Sequence, residues 1–169
     1  MKTPAPITVS QVRSLFDYDP ETGVMRYRVS RRRLRAGMAA GCLRPDGRVY
    51  IMVEKRNYAR SRLAFLHFHG RWPECEIDHV NRNRSDDCID NLREATRPEN
   101  GANTRSQPSS TGVRGVHLRD NPNRPYEASI TVRGAYRYLG SFATLRQAAA
   151  TVDAAREKYH GEFAFAEAA

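Results

Sequence analysis

Glu76-Ile77-Asp78-His79-Val80-Asn81, then Asp90-Asn91-Leu92-Arg93, then Thr96-Arg97-Pro98-Glu99-Asn100, is the stretch on which the reading of this chain turns. An acidic residue stands directly before a histidine, and Asn91 and Asn100 follow His79 by 12 and 21 positions. Hydrolysis of a phosphodiester needs a base that titrates near neutrality, a cation on the developing oxyanion and positive surface to hold the nucleic acid. Histidine meets the first need, and a divalent metal on oxygen ligands meets the second.

The third need is met by composition. The 169 residues carry 28 Lys and Arg against 19 Asp and Glu, a net charge of +9. Arginine dominates, with Arg31, Arg32, Arg33 and Arg35 nearly adjacent and Arg56, Arg60 and Arg62 following. Its planar fork suits phosphate, so a polyanion is the expected partner, and nucleic acid before any other. No run of about 18 apolar residues is present to span a bilayer, and Met1–Pro6 lead into polar sequence rather than a signal core. The three cysteines, Cys42, Cys75 and Cys88, contain no CxxC pair and imply neither a disulfide framework nor a four-cysteine zinc site. The expected setting is cytoplasmic, as a monomer with no membrane and no obligate protein partner.

Outward from the central stretch, residues 7–75 alternate helical and strand patterns. Val9, Val12, Leu15 and Phe16 form a short amphipathic pattern closed by Asp19-Pro20-Glu21-Thr22-Gly23. Strand patterns follow at 24–29 and 49–53, with Arg44-Pro45-Asp46-Gly47 a turn before the second. Leu63, Phe65, Leu66 and Phe68 predict a buried helix stopping at Gly70. Asp86, Asp87 and Asp90 read as a solvated acidic loop, and Asn81 and Asn83 as turn residues. His67, His69, His117 and His160 read as packing or surface residues rather than ligands. Beyond a linker at 105–111, strands are expected at 113–118, 126–132 and 136–142, the last two joined at Arg133-Gly134. A helix from Leu145 to Tyr159 is capped by Thr144 with Gln147 three residues on. Its apolar stripe of Leu145, Ala148, Ala149, Val152, Ala155 and Tyr159 faces the core.

The blocks Asp-His-Val-Asn, Asp-Asn-Leu-Arg and Thr-Arg-Pro-Glu-Asn within 76–103 resemble the HNH endonucleases, especially the phage and intron homing branch. The resemblance extends upstream through Leu63-Ala64-Phe65 and Gly70-Arg71-Trp72-Pro73. It implies a ββα-metal core at about 74–104, inside a nuclease domain spanning 1–104 with an N-terminal β-rich extension. It also implies a metal-dependent endonuclease with double-stranded DNA as its partner and nicking the expected mode. A phage-encoded protein acting in its host cell would fit that branch. By the resemblance His79 is the general base, and Asn91 bonds the other ring nitrogen of His79 through its carbonyl. Asp78 and Asn100 hold one metal ion, with Asn103 an alternative to Asn100. An Asp/Asn oxygen pair favours Mg²⁺ or Mn²⁺. Arg60, Arg62 and Arg93 are expected on DNA. Ser61 stands where relatives often place a histidine.

Residues 112–169 resemble the Apetala or ethylene-response-factor type of DNA-binding domain, through Val113-Arg114-Gly115-Val116, Tyr126-Glu127-Ala128-Ser129-Ile130, Tyr138-Leu139-Gly140-Ser141-Phe142 and the Ala-rich helix. That family's fold is a three-stranded antiparallel sheet on one helix, so the whole chain is expected to be α+β. In the family the sheet enters the major groove. The matching positions are Arg114, Arg119, Tyr126, Arg133, Arg137 and Tyr138, with Tyr where relatives often carry Trp. Two other readings stay open at this point: an inactive DNA-binding regulator on the same scaffold, and a basic RNA-binding protein.

Overall fold

A computed structural model describes residues 7–31, 33–103 and 110–163. The chain is mixed α+β, with small antiparallel sheets and four α-helices among the described residues. It divides into two compact units, Met1–Ala95 and Thr96–Ala169. The expected linker at 105–111 lies largely outside the described residues. The division falls earlier, so the last helix of the expected nuclease domain groups with the second unit. The physical reason is that this helix contacts the Gly161–Phe163 turn of that unit.

In the first unit, Thr8 and Gln11 exchange side-chain and backbone bonds in a capping box that opens α1 (Val9–Leu15). Strands β1 (Phe16–Tyr18) and β2 (Met25–Tyr27) pair antiparallel across the expected turn. Asp19 braces that turn, its carboxylate accepting from the Glu21 amide at 3.0 Å and the Thr22 hydroxyl at 2.7 Å. Strands β3 (Cys42–Leu43), β4 (Val49–Val53) and β5 (Arg56–Ala59) form a second antiparallel sheet.

Helix α2 (Arg60–His69) leaves β5 directly and ends at Gly70, which takes the left-handed cap only glycine adopts cheaply. Its side chains serve two cores. Leu63 and Leu66 join Val12, Phe16, Met25 and Ile51 on one side. Ala64 and Phe65 pack with Ile77 and Leu92 on the other. Each fully buried leucine contributes roughly 1.5–3 kcal/mol.

Ile77 and Leu92 belong to a hairpin of β6 (Glu76–His79) and β7 (Leu92–Ala95), in the register Asp78↔Arg93 and His79↔Leu92. A 3₁₀ turn, Ile89–Asn91, leads into β7. The loop before it packs on the first hairpin. A Cβ added at Gly23 would lie 2.3 Å from the Asp87 carbonyl carbon, so only glycine permits that approach.

In the second unit, α3 (Arg97–Ala102) opens with a second capping box, Thr96 with Glu99. Strands β8 (Val116–Leu118), β9 (Tyr126–Val132) and β10 (Ala135–Phe142) form an antiparallel sheet in the order β10-β9-β8. Helix α4 (Leu145–His160) starts at the expected Thr144 cap. Val116, Ala128, Ala148 and Val152 make the core between sheet and helix. β8 is shorter than expected because Gly115, at φ +81°, presses against the Ser129 carbonyl, 2.5 Å from where a Cβ would sit. No helix among the described residues is long and apolar enough to cross a membrane.

Candidate active site

Strand alternation sorts the Asp78-His79 pair onto two faces. Ile77 and His79 share the face that packs on α2, and Asp78 lies with Arg93 on the other. Both are buried, Asp78 at 5% and His79 at 3% exposure. His79 closes the strand, so the end of β6 borders both faces.

The His79 ring meets Asp87: Nε2 lies 2.9 Å from Oδ1. The other carboxylate oxygen accepts from Arg60 Nε at 2.6 Å, while Arg60 Nη2 donates to the Ser85 carbonyl at 2.7 Å. Tyr18 donates its hydroxyl to the Asp87 carbonyl at 2.7 Å. Burial, and then the Asp87 charge, push the Tyr18 phenol well above its usual range, so it stays a donor. Asp87 is 1% exposed. It is therefore not part of a solvated loop, which corrects the expectation from the acidic run. Asp90 is exposed and Asp86 half-buried.

Asn91 does something other than expected. Its side-chain oxygen accepts from the Asn81 amide at 2.9 Å, and its nitrogen donates to the Asp86 carbonyl at 2.7 Å. It staples the loop between β6 and β7, and the carboxylate of Asp87 takes the ring contact assigned to it. The loop is tightened further by Asn81 donating to the Asp86 carboxylate at 2.6 Å. Asn83 accepts from Ser85, the turn chemistry anticipated for these asparagines.

Asp78 Oδ2 accepts from Arg93, Nε at 2.9 Å and Nη2 at 2.8 Å. Arg93 was expected on DNA and is instead forked onto this carboxylate. Arg60, with an 11% exposed side chain, is likewise engaged internally. Arg62 donates to the Cys75 carbonyl at 3.2 Å and lies over Trp72. Ser61 is buried on α2.

Asn100 belongs to the second unit, half-buried in α3. Asn103 caps that helix and is buried. Among the described residues no group of three or more His, Cys, Asp or Glu could hold a metal ion. The expected ligands Asp78 and Asn100 belong to different units, one a carboxylate and the other a carboxamide, each an oxygen donor of the kind that hard ions such as Mg²⁺ take.

The expected DNA-reading residues of the second unit separate by face. Tyr138 pairs with Ser129, and Tyr136 with Thr131; both tyrosines are exposed. Arg119 is exposed and forked onto Glu127 at 2.8 and 3.1 Å. Arg133 occupies the exposed hairpin turn at φ +51°. Tyr126 and Arg137 are on the helix side, which removes them from the open face. Tyr126 packs against the core, and Arg137, opposite Ile130, lies over the Tyr159 ring of α4. Arg114 donates to the Gly101 carbonyl at 3.3 Å, and its own carbonyl accepts from Arg156.

Residues 58–102 match the family model described as HNH endonuclease. Neither a curated protein nor a solved structure matches the chain. The matched segment runs from Tyr58 in β5 to the end of α3 and contains Arg60, Asp78, His79, Asp87, Asn91 and Asn100. Residues 58–102 are thus similar to an HNH endonuclease domain, a likeness that supports a nuclease acting on DNA.

Proposed function

We propose that this chain is a metal-dependent endonuclease of the homing type that nicks duplex DNA, with the C-terminal module helping to choose the site. The observation that carries the reading is the pair of buried residues Asp78 and His79 ending β6, inside the segment that matches the HNH endonucleases.

His79 serves as the general base, taking a proton from the attacking water. Asp78 and Asn100 are the oxygen donors that would hold one Mg²⁺ or Mn²⁺. When bound, the ion supplies positive charge to the scissile phosphate and the leaving 3′ oxygen. Asn91 keeps the β6–β7 loop closed, so that His79 and Asp78 stay at the strand end. Duplex DNA is held by exposed arginines, and the open face of the C-terminal sheet, with Tyr136, Tyr138, Arg119 and Arg133, adds contacts that help select the site.

Supercoiled plasmid incubated with the full chain and Mg²⁺ or Mn²⁺ tests the reading. Nicked product is expected, lost in His79→Ala while duplex binding persists. Varied duplexes left intact with both metals, the chain's own genomic neighbourhood among them, would sink it.

A further inference from the structure

Asp87 is a buried carboxylate with no place in the roles assigned so far. Each of its oxygens has one partner: Oδ1 faces His79 Nε2 at 2.9 Å, and Oδ2 accepts from Arg60 Nε at 2.6 Å. Its backbone is fixed as well, by the Tyr18 hydroxyl on its carbonyl and by the contact with Gly23. Three separate elements, β1, the β1–β2 turn and the first residue of α2, therefore converge on one acid.

We propose that Asp87 is a positioning residue for His79, holding the ring with its proton on Nε2 so that Nδ1 carries the lone pair that accepts a proton from water. A carboxylate gripped by Arg60 accepts hydrogen bonds and offers none. The ring nitrogen facing it must then be the donor, and in a neutral imidazole the other nitrogen is the base. Arg60 sets the polarity of the arrangement, because it donates to Oδ2 and leaves Oδ1 of the same carboxylate as the acceptor facing the ring. This inference rests on His79 being the base.

The geometry makes the consequence of Asp87→Asn specific. Arg60 has only donors, so the carboxamide must turn its oxygen to Arg60 and its NH₂ to the ring. Nε2 then has to accept, the proton moves to Nδ1, and the base is lost with the site's shape intact. Adding Arg60→Met frees the carboxamide to turn its oxygen back to the ring, so the double variant recovers part of what the single variant loses. A pair that serves packing alone would show no such recovery of activity in the double variant.

The test uses the full chain with ¹⁵N-labelled histidine. Ring ¹⁵N–¹H correlation spectra are taken at about pH 8.5, where ordinary histidine is neutral, and His79→Ala identifies the signal among the five histidines. Nε2–H is expected for His79 in the wild type, Nδ1–H in Asp87→Asn, and Nε2–H again in the double variant. In plasmid nicking, kcat is expected to fall on the order of 10²- to 10⁴-fold in Asp87→Asn, as for other misdirected imidazole bases, with KM within about twofold. Wild-type His79 as the Nδ1–H tautomer overturns the proposal, as does Asp87→Asn with tautomer and kcat unchanged. If Asp87→Asn does not fold, the wild-type and double-variant spectra carry the decision. A tautomer that switches in a chain that never cuts DNA upholds the positioning role and removes the nuclease reading instead.

Discussion

Arg93 closes its fork on Asp78 directly across the β6–β7 hairpin, Nε and Nη2 reaching the same oxygen at 2.9 and 2.8 Å. The carboxylate proposed to hold a metal ion is thus neutralised by a cation supplied from its own register partner. Arg93→Ala strands that buried charge and is expected to cost about 3 kcal/mol, read from urea denaturation. A divalent ion can replace the lost positive charge. On the proposed role of Asp78, Mg²⁺ or Mn²⁺ therefore raises the Tm of Arg93→Ala by more than that of the wild type. Equal shifts in the two proteins would argue against Asp78 as a ligand.

Arg60 and Asp87 form a pair with side chains 11% and 1% exposed. Removing one partner from such a pair leaves an uncompensated charge, which typically costs about 3–5 kcal/mol. Arg60→Met is expected near the lower end of that range, because its apolar stem is kept. The two single losses are not additive. Denaturation of Arg60→Met, Asp87→Asn and the double variant is expected to show a double variant more stable than the sum of the two losses implies. Strict additivity would mean that the pair is not energetically coupled.

Acid should loosen the β6–β7 loop before it unfolds the cores. Hydrogen bonding with Cys88 first, and with Asn81, holds the Asp86 carboxyl below its ordinary value of 3.8. A depressed folded-state pKa contributes stability that is fully present above the unfolded value and is lost as pH falls through the folded one. The acid limb of stability is therefore expected below about pH 4, and Asp86→Asn should make it shallower. Chemical denaturation at a series of pH values from about 2 to 6 gives the slope; an unchanged limb would separate Asp86 from it.

The same contact protects a thiol. Asp86, followed by burial, raises the Cys88 pKa to about 11. At pH 8 only about one Cys88 in a thousand is then thiolate, the reactive form. Cys42 and Cys75 are exposed. Alkylation with iodoacetamide at that pH, mapped by peptide mass, is expected to label those two first and Cys88 last. Asp86→Asn should speed Cys88 labelling, and early labelling of wild-type Cys88 would contradict the assigned environment.

These residues also show what was legible in the sequence. Helix α4 was readable because its cap and its 3.6-residue stripe are local, and Gly70 marks the end of α2 for the same reason. Asp78-His79 stood out because an acid-histidine pair is a compact signal. Asp87 did not, since its partner Arg60 lies 27 positions upstream and two neighbouring acids disguise it as surface. Strand parity was the neglected signal in the second unit. A two-residue turn at Arg133-Gly134 pairs Val132 with Ala135, which sets Arg137 opposite Ile130 and so toward the helix. The unit division after Ala95 was not readable because the capping box at Thr96 defines where α3 begins, not which unit it joins.

That parity yields the sharpest contrast among the expected DNA contacts. Tyr138 and Arg133 are exposed on the open side, whereas Tyr126 packs on the core and Arg137, also exposed, lies over Tyr159 on the helix side. If the open face of the sheet meets DNA, Tyr138→Ala weakens duplex binding, by about 1–3 kcal/mol where the ring stacks on a base. Arg133→Ala reduces the salt slope of binding by about one unit. Both should leave the melting temperature almost unchanged, as surface substitutions do. Tyr126→Ala should do the opposite, lowering Tm through lost packing, and in Arg137→Ala the lost cation–π contact costs about 0.5–1 kcal/mol. Fluorescence anisotropy across a salt series, paired with thermal melts of the same four variants, separates the two classes. If Arg137→Ala weakens binding while melting normally and Tyr138→Ala does not weaken it, the helix-side surface is what meets DNA.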